Sequence, residues 1–448
     1  FSGLGFIGTT IGSAGSATTW TGLYVTGAPV HPTGGYTPDA VAPSTLNVSG
    51  VTLDGGTYGW ATGDLIVGTL TADAVTGTAA GDIIYGLTGN DTIASGDGDD
   101  IIIAGDGADE IHAGNGNDMI GWYAAGATGG DDSDVIDGGG ETGRDTLVIN
   151  NGAFNNTPTM TASGTARTFT ISSVTGGSEV APTTGTDDTD ILIDVAQSAT
   201  PATSEAQIRA DEIEDVVFNL GTGGDTVVVT GSLAASAVML STITVNGNTG
   251  NDVIDATGLT SAHTIAAFTG AGNDEFRVNA GATNTHVFDG GADTDTVSYA
   301  TFSTGVNVNL GTGIATQFAP GLLDNVENLV GGSAADTLIG SADANVITGG
   351  TGNDTITGGA GIDTLNGGDN NDQFFIASQA DYGSGTDADV IDGGTGTNTL
   401  VFDGGYSSGA SLVLSTEDTD LVGVQSIALY GASGVDASGQ SEGFTIYT

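Results

Sequence analysis

The 448-residue chain contains no cysteine and no lysine, and it has only four arginine and four histidine residues. Without cysteine it has neither disulfide bonds nor thiolate metal sites, so stabilisation beyond its core must come from ions and sheet hydrogen bonds. No apolar run approaches the roughly 20 residues that a membrane-spanning helix needs. Aromatic residues make up 6%, which is few for a sugar-stacking cleft.

Acidic residues dominate the charge. The chain has 55 Asp and Glu residues and a formal net charge of −51. Such a surface repels phosphate groups, so we expect neither nucleic acid nor an anionic membrane as a partner. Self-repulsion also opposes a compact metal-free state, so folding is expected to depend on bound cations. The 78 glycines and eight prolines favour glycine-turned β structure over proline-rich disorder.

Two runs of nine-residue units occupy separate parts of the chain. The units from Gly77 to Gly121 read GTAAGDIIY, GLTGNDTIA, SGDGDDIII, AGDGADEIH and AGNGNDMIG, and those from Gly331 to Phe375 read GGSAADTLI, GSADANVIT, GGTGNDTIT, GGAGIDTLN and GGDNNDQFF. Both runs follow G-G-x-G-x-D-x-U-x, in which U is a large apolar residue. A flexible linker or a silk-like repeat would explain the glycine, but not Asp and Ile held at fixed positions from unit to unit.

Each position of the unit has its own role. Positions 7 to 9 (x-U-x) form a short strand whose middle side chain points away from its two neighbours, so position 8 is expected to face a core. Positions 1 to 6 form a turn, where glycine permits positive φ and brings backbone carbonyls together. Carbonyl oxygens and the Asp at position 6 are the hard donors that Ca²⁺ binds. The unit therefore predicts a strand and part of a calcium site.

This nonapeptide resembles that of the RTX calcium-binding proteins, and the resemblance covers most of residues 77–448. The segment from Asp295 to Gly332, which contains DTVSY, GVNVNL and NVENLVGG, also resembles the lead-in to a regular RTX run. The resemblance implies an all-β fold, in which calcium-stabilised parallel β-roll (β-solenoid) blocks are interrupted by short antiparallel β segments. It implies multiple Ca²⁺ ions, each bound between turns of successive coils, because two nonapeptides make one coil.

The candidate calcium ligands follow from the repeat positions. At Asn345 an amide oxygen replaces the carboxylate, which predicts a weaker site. Inserted residues push Asp145 out of step, so it is not among the candidates. The predicted ligands are Asp82, Asp91, Asp97, Asp100, Asp106, Asp109, Asn115, Asp118, Asp134, Asp225, Asp252, Asp274, Asp295, Asp336, Asn345, Asp354, Asp363, Asp372 and Asp389.

The motif breaks and restarts along the chain, which predicts seven segments. They are an N-terminal β-rich cap or assembly segment (1–76), a first roll (77–149), an inserted antiparallel β segment (150–219), a second, irregular roll (220–299), a strand-rich connector (300–330), a third roll (331–402) and a C-terminal β segment (403–448).

The sequence offers no catalytic constellation, so we expect that the chain is not an enzyme. The metalloprotease signature H-E-x-x-H is absent. The stretch Gly405–Gly409 matches G-x-S-x-G, but a hydrolase elbow requires a later histidine and no histidine follows His286. We interpret this stretch as a Gly/Ser turn.

The leading functional hypothesis is a secreted bacterial structural protein that self-associates into an extracellular surface layer, filament or matrix. Family resemblance to surface-layer proteins and adhesins exported by type I secretion supports it, and cell-surface polysaccharide is a further expected partner. Two alternatives stay open. One is the carrier region of a larger secreted hydrolase or toxin, which the start at Phe1 rather than Met allows. The other is a calcium-dependent adhesion module that binds through residues 1–75 or 150–219.

Overall fold

The computed structural model describes residues 4–6, 23–25, 44–47, 52–53, 56–57, 63–124, 133–139, 143–153, 161–162, 166–175, 189–197, 204–233, 240–280, 285–316, 318–377, 379–383, 388–403, 411–414, 420–430, 434–437 and 443–447. The chain divides into two compact units, Phe1–Asn248 and Thr249–Thr448. This division falls inside the segment that the sequence assigns to the second roll. No helix in the described ranges has the length and hydrophobicity that a membrane crossing requires.

Short strands make up the first unit. They are β1 (Leu4–Phe6), β2 (Leu23–Val25), β3 (Ser44–Asn47), β4 (Thr52–Leu53), β5 (Gly56–Thr57), β6 (Asp64–Val67), β7 (Ala74–Thr76), β8 (Ile83–Thr88), β9 (Thr92–Asp97), β10 (Ile101–Asp106), β11 (Glu110–Asn115), β12 (Met119–Tyr123), β13 (Val135–Asp137), β14 (Thr146–Asn150), β15 (Gly152–Ala153), β16 (Thr161–Ala162), β17 (Arg167–Thr175), β18 (Thr189–Gln197), β19 (Ser204–Asp211), β20 (Asp215–Asn219), β21 (Thr226–Gly231) and β22 (Thr242–Thr249).

The second unit has the same character. Its elements are β23 (Val253–Leu259), β24 (Thr264–Ala271), β25 (Glu275–Arg277), β26 (His286–Asp289), β27 (Thr296–Ser298), β28 (Asn307–Asn309), a 3₁₀ turn (Leu310–Thr312), β29 (Ile314–Ala315), β30 (Phe318–Asp324), β31 (Asn328–Val330), β32 (Thr337–Ile339), β33 (Val346–Thr351), β34 (Thr355–Thr357), β35 (Thr364–Asp369), β36 (Gln373–Ile376), helix α1 (Gln379–Tyr382), β37 (Val390–Asp392), β38 (Asn398–Asp403), β39 (Ser411–Val413), β40 (Leu421–Val422), β41 (Val424–Tyr430), β42 (Gly434–Asp436) and β43 (Thr445–Tyr447).

Successive strands of the first unit alternate between two sheets. One sheet contains β6, β8, β10, β12, β14, β20 and β22 in that order, and the other begins with β7, β9, β11 and β13. Strand β10 pairs in parallel with β8 and β12, so Ile102 lies between Ile84 and Ile120. Each coil therefore consists of two nonapeptides, and equivalent residues of successive coils stack on one another. This confirms the predicted parallel β-roll.

The core is a stack of the position-8 side chains. Ile84, Ile93, Ile102, Ile111 and Ile120 are each at most 1% exposed. In β10 and β11 the neighbours at positions 7 and 9 are partly exposed, as the alternation of a strand requires. Burial of one such side chain contributes about 1.5–3 kcal/mol, so the core provides one contribution of this size per nonapeptide.

An antiparallel segment interrupts the second sheet of the first unit. Strands β17, β18 and β19 pair antiparallel to one another, while β19 also pairs in parallel with β13 and β17 with β21. The segment is thus inserted into the sheet rather than appended to its edge, which confirms the predicted antiparallel interruption.

In the second unit the coils continue over three runs of paired strands. Strands β23, β25, β27, β31, β33, β35, β37 and β40 are consecutive neighbours, as are β24, β26 and β30. The third sheet has the order β29-β28-β32-β34-β36-β38-β41-β43. From Thr337 onward the register again advances by two nonapeptides per coil, since Leu338 pairs with Ile356 and Ile347 with Leu365.

Position 2 of the regular turns adopts a backbone conformation that suits glycine. Gly96, Gly105 and Gly114 have φ values of 112°, 109° and 99°. Leu87 stands at the same position with φ of 87°, a conformation that costs a residue with a Cβ about 1–2 kcal/mol. The turn geometry therefore overrides the local preference of this leucine.

Candidate metal centres

The aspartates at position 6 form hydrogen-bonded ladders along the rolls. In each turn the backbone N–H of the position-6 residue donates to Oδ1 of its counterpart in the next turn. The distances are 2.6 Å from Asp82 to Asp100, 2.7 Å from Asp91 to Asp109 and 2.8 Å from Asp100 to Asp118. We call each position-6 side chain a rung. One carboxylate oxygen of each rung, Oδ1, is therefore held by a backbone N–H of the preceding turn.

Each unit contains such ladders on both sides of its coils. The rungs of the first unit are Asp64, Asp82, Asp100, Asp118 and Asp145 on one side, and Asp73, Asp91, Asp109 and Asp134 on the other. Those of the second unit are Asp252, Asp274 and Asp295, then Asn345, Asp363 and Asp389, and, on the other side, Asp336, Asp354, Asp372 and Asn398.

The second carboxylate oxygen of many rungs is buried and accepts no hydrogen bond from the protein. A buried, unpaired carboxylate oxygen is costly unless a cation neutralises it. These uncapped rungs, as we call them, each have a residue exposure of at most 1%. Their Oδ2 atoms belong to Asp91, Asp100, Asp118, Asp274, Asp295, Asp354, Asp363, Asp372 and Asp389.

Backbone carbonyls of the following turn converge on these oxygens. A Cβ placed on Gly86 would collide with Oδ2 of Asp91 and with the carbonyl oxygen of Ala104. A Cβ placed on Gly349 would likewise collide with Oδ2 of Asp354 and with the carbonyl oxygen of Gly367. Glycine at position 1 thus leaves space between two oxygens from turns of successive coils. This is an arrangement that suits a hard cation.

The donor set fits calcium. Among the described residues no three His, Cys, Asp or Glu side chains cluster as a metal site, because each rung contributes a carboxylate to surroundings made of backbone carbonyls. An all-oxygen set without nitrogen or sulfur ligands favours Ca²⁺ over the transition metals. Bound calcium supplies positive charge between successive turns. The uncapped rungs and the carbonyls beside position 1 would hold it.

The rungs have strongly perturbed acidity. Burial raises the pKa of Asp100, Asp145, Asp295 and Asp389 to about 7, and neighbouring carboxylates raise it further while the backbone N–H of the preceding rung lowers it. Burial likewise raises the pKa of Asp91, Asp118, Asp354 and Asp363 to about 6. Without a cation the folded roll therefore disfavours the charged carboxylates.

Some rungs are already satisfied by the protein. In these capped rungs a backbone N–H four residues earlier donates to Oδ2: Thr69 to Asp73 at 2.5 Å, Thr78 to Asp82 at 2.7 Å and Gly332 to Asp336 at 2.7 Å. A calcium ion there would compete with this hydrogen bond. We therefore expect the tightest sites at the uncapped rungs.

Three predicted ligands lie outside the ladders. Asp97, Asp106 and Asn115 are exposed at position 3 of their turns. Asp97 Oδ1 accepts a 2.8 Å hydrogen bond from Asn115 Nδ2, so these two side chains pair with each other along the outer rim. The structure does not bring the three residues together with the buried carboxylates, and their role as ligands stays a prediction.

Asp225 also has different surroundings. Its carboxylate accepts hydrogen bonds from Gly221 N at 2.8 Å, from Asn151 Nδ2 at 2.9 Å and from Arg167 N at 2.6 Å. Burial raises its pKa, whereas these hydrogen bonds and the charge of Arg167 lower it. Hydrogen-bond donors and the positive charge of Arg167 in the inserted strand β17 therefore stabilise the Asp225 carboxylate, as a cation would at the uncapped rungs. The structure does not place this residue among the uncapped rungs.

Both the oxygen and the nitrogen of the Asn345 side-chain amide form hydrogen bonds. Its Oδ1 accepts a 2.7 Å hydrogen bond from Ser341 N, and its Nδ2 donates to the carbonyl oxygen of Glu327 at 2.8 Å. The predicted amide oxygen ligand does lie beside Gly340, but it already accepts an N–H. The weaker calcium site at Asn345 stays a prediction.

Sequence reasoning missed three aspartate rungs. Asp145 is 1% exposed and accepts the N–H of Asp118 at 2.7 Å, although its turn is longer than that of the regular repeat. Asp64 and Asp73 extend the ladders upstream of Gly77, into the predicted N-terminal segment. Their turns lack most of the glycines. The signal that would have found them is the tripeptide D-x-U alone, which occurs as DLI, DAV and DTL.

Replacing one uncapped rung is expected to weaken calcium binding far more than replacing an exposed aspartate of the same turn. Asp100→Ala should lower the calcium affinity by about tenfold or more, because the charge of the ligands sets Kd over several decades. Asp97→Ala is the matched control and should bind calcium like the parent chain. Calcium titration calorimetry measures both. Equal losses in the two variants would contradict the assignment of the buried ladder.

Comparison with known protein families matches five stretches of the chain to the RTX calcium-binding nonapeptide repeat, at residues 67–102, 85–120, 324–356, 348–382 and 384–407. Among curated proteins, none matches the chain. The matched stretches contain uncapped rungs of both units, and they begin upstream of Gly77, as the ladders do. These stretches therefore carry the RTX calcium-binding nonapeptide repeat, which is typical of secreted calcium-binding proteins.

Proposed function

We propose that the chain is a non-enzymatic structural protein whose calcium-loaded rolls assemble into an extracellular surface layer or filament. The observation that carries this proposal is an apolar surface on the first unit, away from its core. We call it the outer face. It consists of the outward side chains of β8, β10, β12 and β14. Apolar surface of this kind is characteristic of association sites.

The register of the sheet aligns these side chains in two rows. Ile101 lies between Ile83 and Met119, and Ile103 lies between Tyr85 and Gly121, which is followed by Val148. Met119 is 43% exposed, Ile101 and the second-row side chains of Tyr85, Ile103 and Val148 are partly exposed, and Ile83 is only 3% exposed. A roll without a partner has no need of isoleucine and methionine at outward positions. The rows thus favour contact with another surface.

Several equivalent outward positions elsewhere are polar, although Val346 and Val390 of the second unit are 47% and 37% exposed. On the opposite sheet of the first unit, Glu110 and His112 point outward, and His112 Nδ1 lies 3.1 Å from Asp137 Oδ2. In the second unit the corresponding row of the third sheet includes Thr337 and Thr355. These polar positions contrast with the two apolar rows of the outer face.

Charge gives calcium a second use in assembly. A chain with a net charge of −51 repels its own copies unless cations lie between them. Calcium that bridges acidic surfaces would permit the apolar contacts to form. Assembly is therefore expected to require more calcium than folding does, because surface carboxylates bind the ion more weakly than the buried rungs.

Sedimentation velocity with and without calcium tests the proposal. We expect large species in millimolar Ca²⁺ that a chelator dissociates. Ile101→Thr combined with Met119→Thr should weaken association by at least about tenfold, because each buried side chain contributes about 1.5–3 kcal/mol. Threonine keeps strand propensity and already occupies several equivalent positions of the second unit, Thr337, Thr355 and Thr364.

Glu110→Thr, at the equivalent position of the opposite sheet, is the control and should assemble like the parent chain. Circular dichroism verifies that the variants keep their fold. A compact monomer in calcium at every concentration would contradict assembly and favour a carrier role. If the double variant assembled as well as the parent chain, the outer face would not be the assembly surface.

A further inference from the structure

Asn398 occupies a rung position but is not an aspartate. It follows Asp372 in its ladder, and its Oδ1 accepts a 2.8 Å hydrogen bond from Asp372 N, as the Oδ1 of an aspartate rung does. The side chain is fully buried. It therefore continues the stacking of the turns without adding a negative charge.

The nitrogen of the same amide lies where an aspartate has its second oxygen. Asn398 Nδ2 donates to the carbonyl oxygens of Gly393 at 2.7 Å and Gly423 at 2.9 Å, which belong to successive turns. The orientation of the amide follows from its partners, since Asp372 N can only donate and the two carbonyls can only accept. The carbonyl oxygens of Gly393 and Gly423 thus each accept a hydrogen bond from the Asn398 side chain.

The comparison with the preceding rung is direct. A Cβ placed on Gly367 would collide with Oδ2 of Asp372, whereas a Cβ placed on Gly393 would lie 2.6 Å from Nδ2 of Asn398. The two turns are otherwise alike, but one presents a carboxylate oxygen beside position 1 and the other an amide nitrogen. A hydrogen-bond donor in this place repels a cation.

We propose that Asn398 is a metal-free rung, at which the side-chain amide takes the place of calcium and ends the ion ladder at Asp372. The next side chain in the ladder is also neutral, because Gln425 Oε1 accepts the N–H of Asn398 at 2.6 Å. Strands β38 and β41 pair in parallel across this junction. On this side of the coil the third roll is therefore joined to the strands that follow it by a connection that needs no calcium.

Asn398→Asp tests the proposal by counting ions. The variant turns the donor into a carboxylate oxygen beside two carbonyls, so it should bind one additional Ca²⁺ per chain in native mass spectrometry. Asn371→Asp is the matched control: Asn371 is an exposed residue whose Oδ1 accepts the N–H of Thr397 at 2.7 Å, outside the rung. This control should leave the count unchanged. A folded Asn398→Asp chain that binds no additional ion would overturn the proposal.

Hydrogen exchange in the absence of calcium gives a second, independent test. In the parent chain the amides of β38 and β41 should stay protected after calcium is removed, while those of β33 and β35 exchange. Asn398→Ala should abolish that residual protection and leave the number of bound ions unchanged, even if Asn398→Asp does not fold. Simultaneous loss of protection in all four strands of the parent chain would overturn the proposal. Neither readout depends on assembly, so a failure here is distinct from a failure of the proposed function.

Discussion

Removal of calcium at neutral pH is expected to abolish the cooperative thermal unfolding of the coils that contain uncapped rungs. The reason lies in the uncapped rungs, whose Oδ2 atoms are buried and accept no hydrogen bond from the protein. Each ionised rung left without a cation adds an uncompensated charge to the interior, and such charges cost several kcal/mol each. A core that receives one apolar side chain per nonapeptide does not offset many of them.

Differential scanning calorimetry of the chain before and after treatment with a chelating resin measures this effect. Added Ca²⁺ should restore the transition, and Mg²⁺ at the same concentration should not, because Mg²⁺ requires a small octahedral site and retains its water. An unchanged transition in the metal-free chain would show that the rungs are stable without an ion, and the account of folding would then be wrong.

The metal-free chain is expected to gain structure as the pH falls from about 8 to about 5. The folded-state pKa values of eight rungs are raised from 3.8 to about 6 or 7. In this window the folded state therefore binds more protons than the unfolded state, so stability decreases as the pH rises and increases as it falls. Protonation removes the buried charges that calcium would otherwise neutralise.

One residue acts in the opposite direction. His286 is fully buried among Phe276, Phe288 and Phe318, and burial lowers its pKa to about 4. Between pH 6.5 and 4 the unfolded state binds the extra proton there, so this histidine opposes folding on acidification. Eight carboxylates outweigh one imidazole, and the net effect of acidification is stabilising.

Far-UV circular dichroism of the resin-treated chain, titrated from pH 8 to pH 5, measures this dependence. The calcium-saturated chain is the control and should show the opposite sign, because protons then compete with bound calcium. Loss of β structure on acidification of the metal-free chain would show that the rungs do not control its stability.

The nonapeptide phase predicted most of the site because one turn positions both the strand and the rung. Asp100 and Ile102 belong to the same unit, so a pattern that identifies the inward side chain also identifies the buried carboxylate. The number of residues between two hydrogen-bonded rungs varies more than the nonapeptide pattern suggests. The N–H to Oδ1 bond spans two nonapeptides in regular coils, whereas the sequence separation is 25 between Asp109 and Asp134 and 27 between Asp118 and Asp145. The ladder hydrogen bonds therefore form across these longer separations as well.

What the pattern does not predict depends on partners from distant strands. Asp225 is satisfied by Asn151 and by the backbone of Arg167, which are far from it in sequence. The two asparagine rungs also differ, although both stand at position 6. Asn345 directs its oxygen toward Ser341 N, whereas Asn398 directs its nitrogen toward two carbonyls. The remaining partners, Glu327 O for Asn345 and Gly423 O for Asn398, lie 18 and 25 residues away, so the local sequence does not contain them.

The most direct test of the central claim is a crystal structure grown in calcium, with anomalous scattering used to locate the ions. We predict anomalous peaks within bonding distance of Oδ2 of the uncapped rungs, between equivalent turns of successive coils, and none beside Asn398 Nδ2. Peaks confined to the outer rim, at Asp97, Asp106 and Asn115, would contradict the claim. The buried carboxylates would then need another explanation.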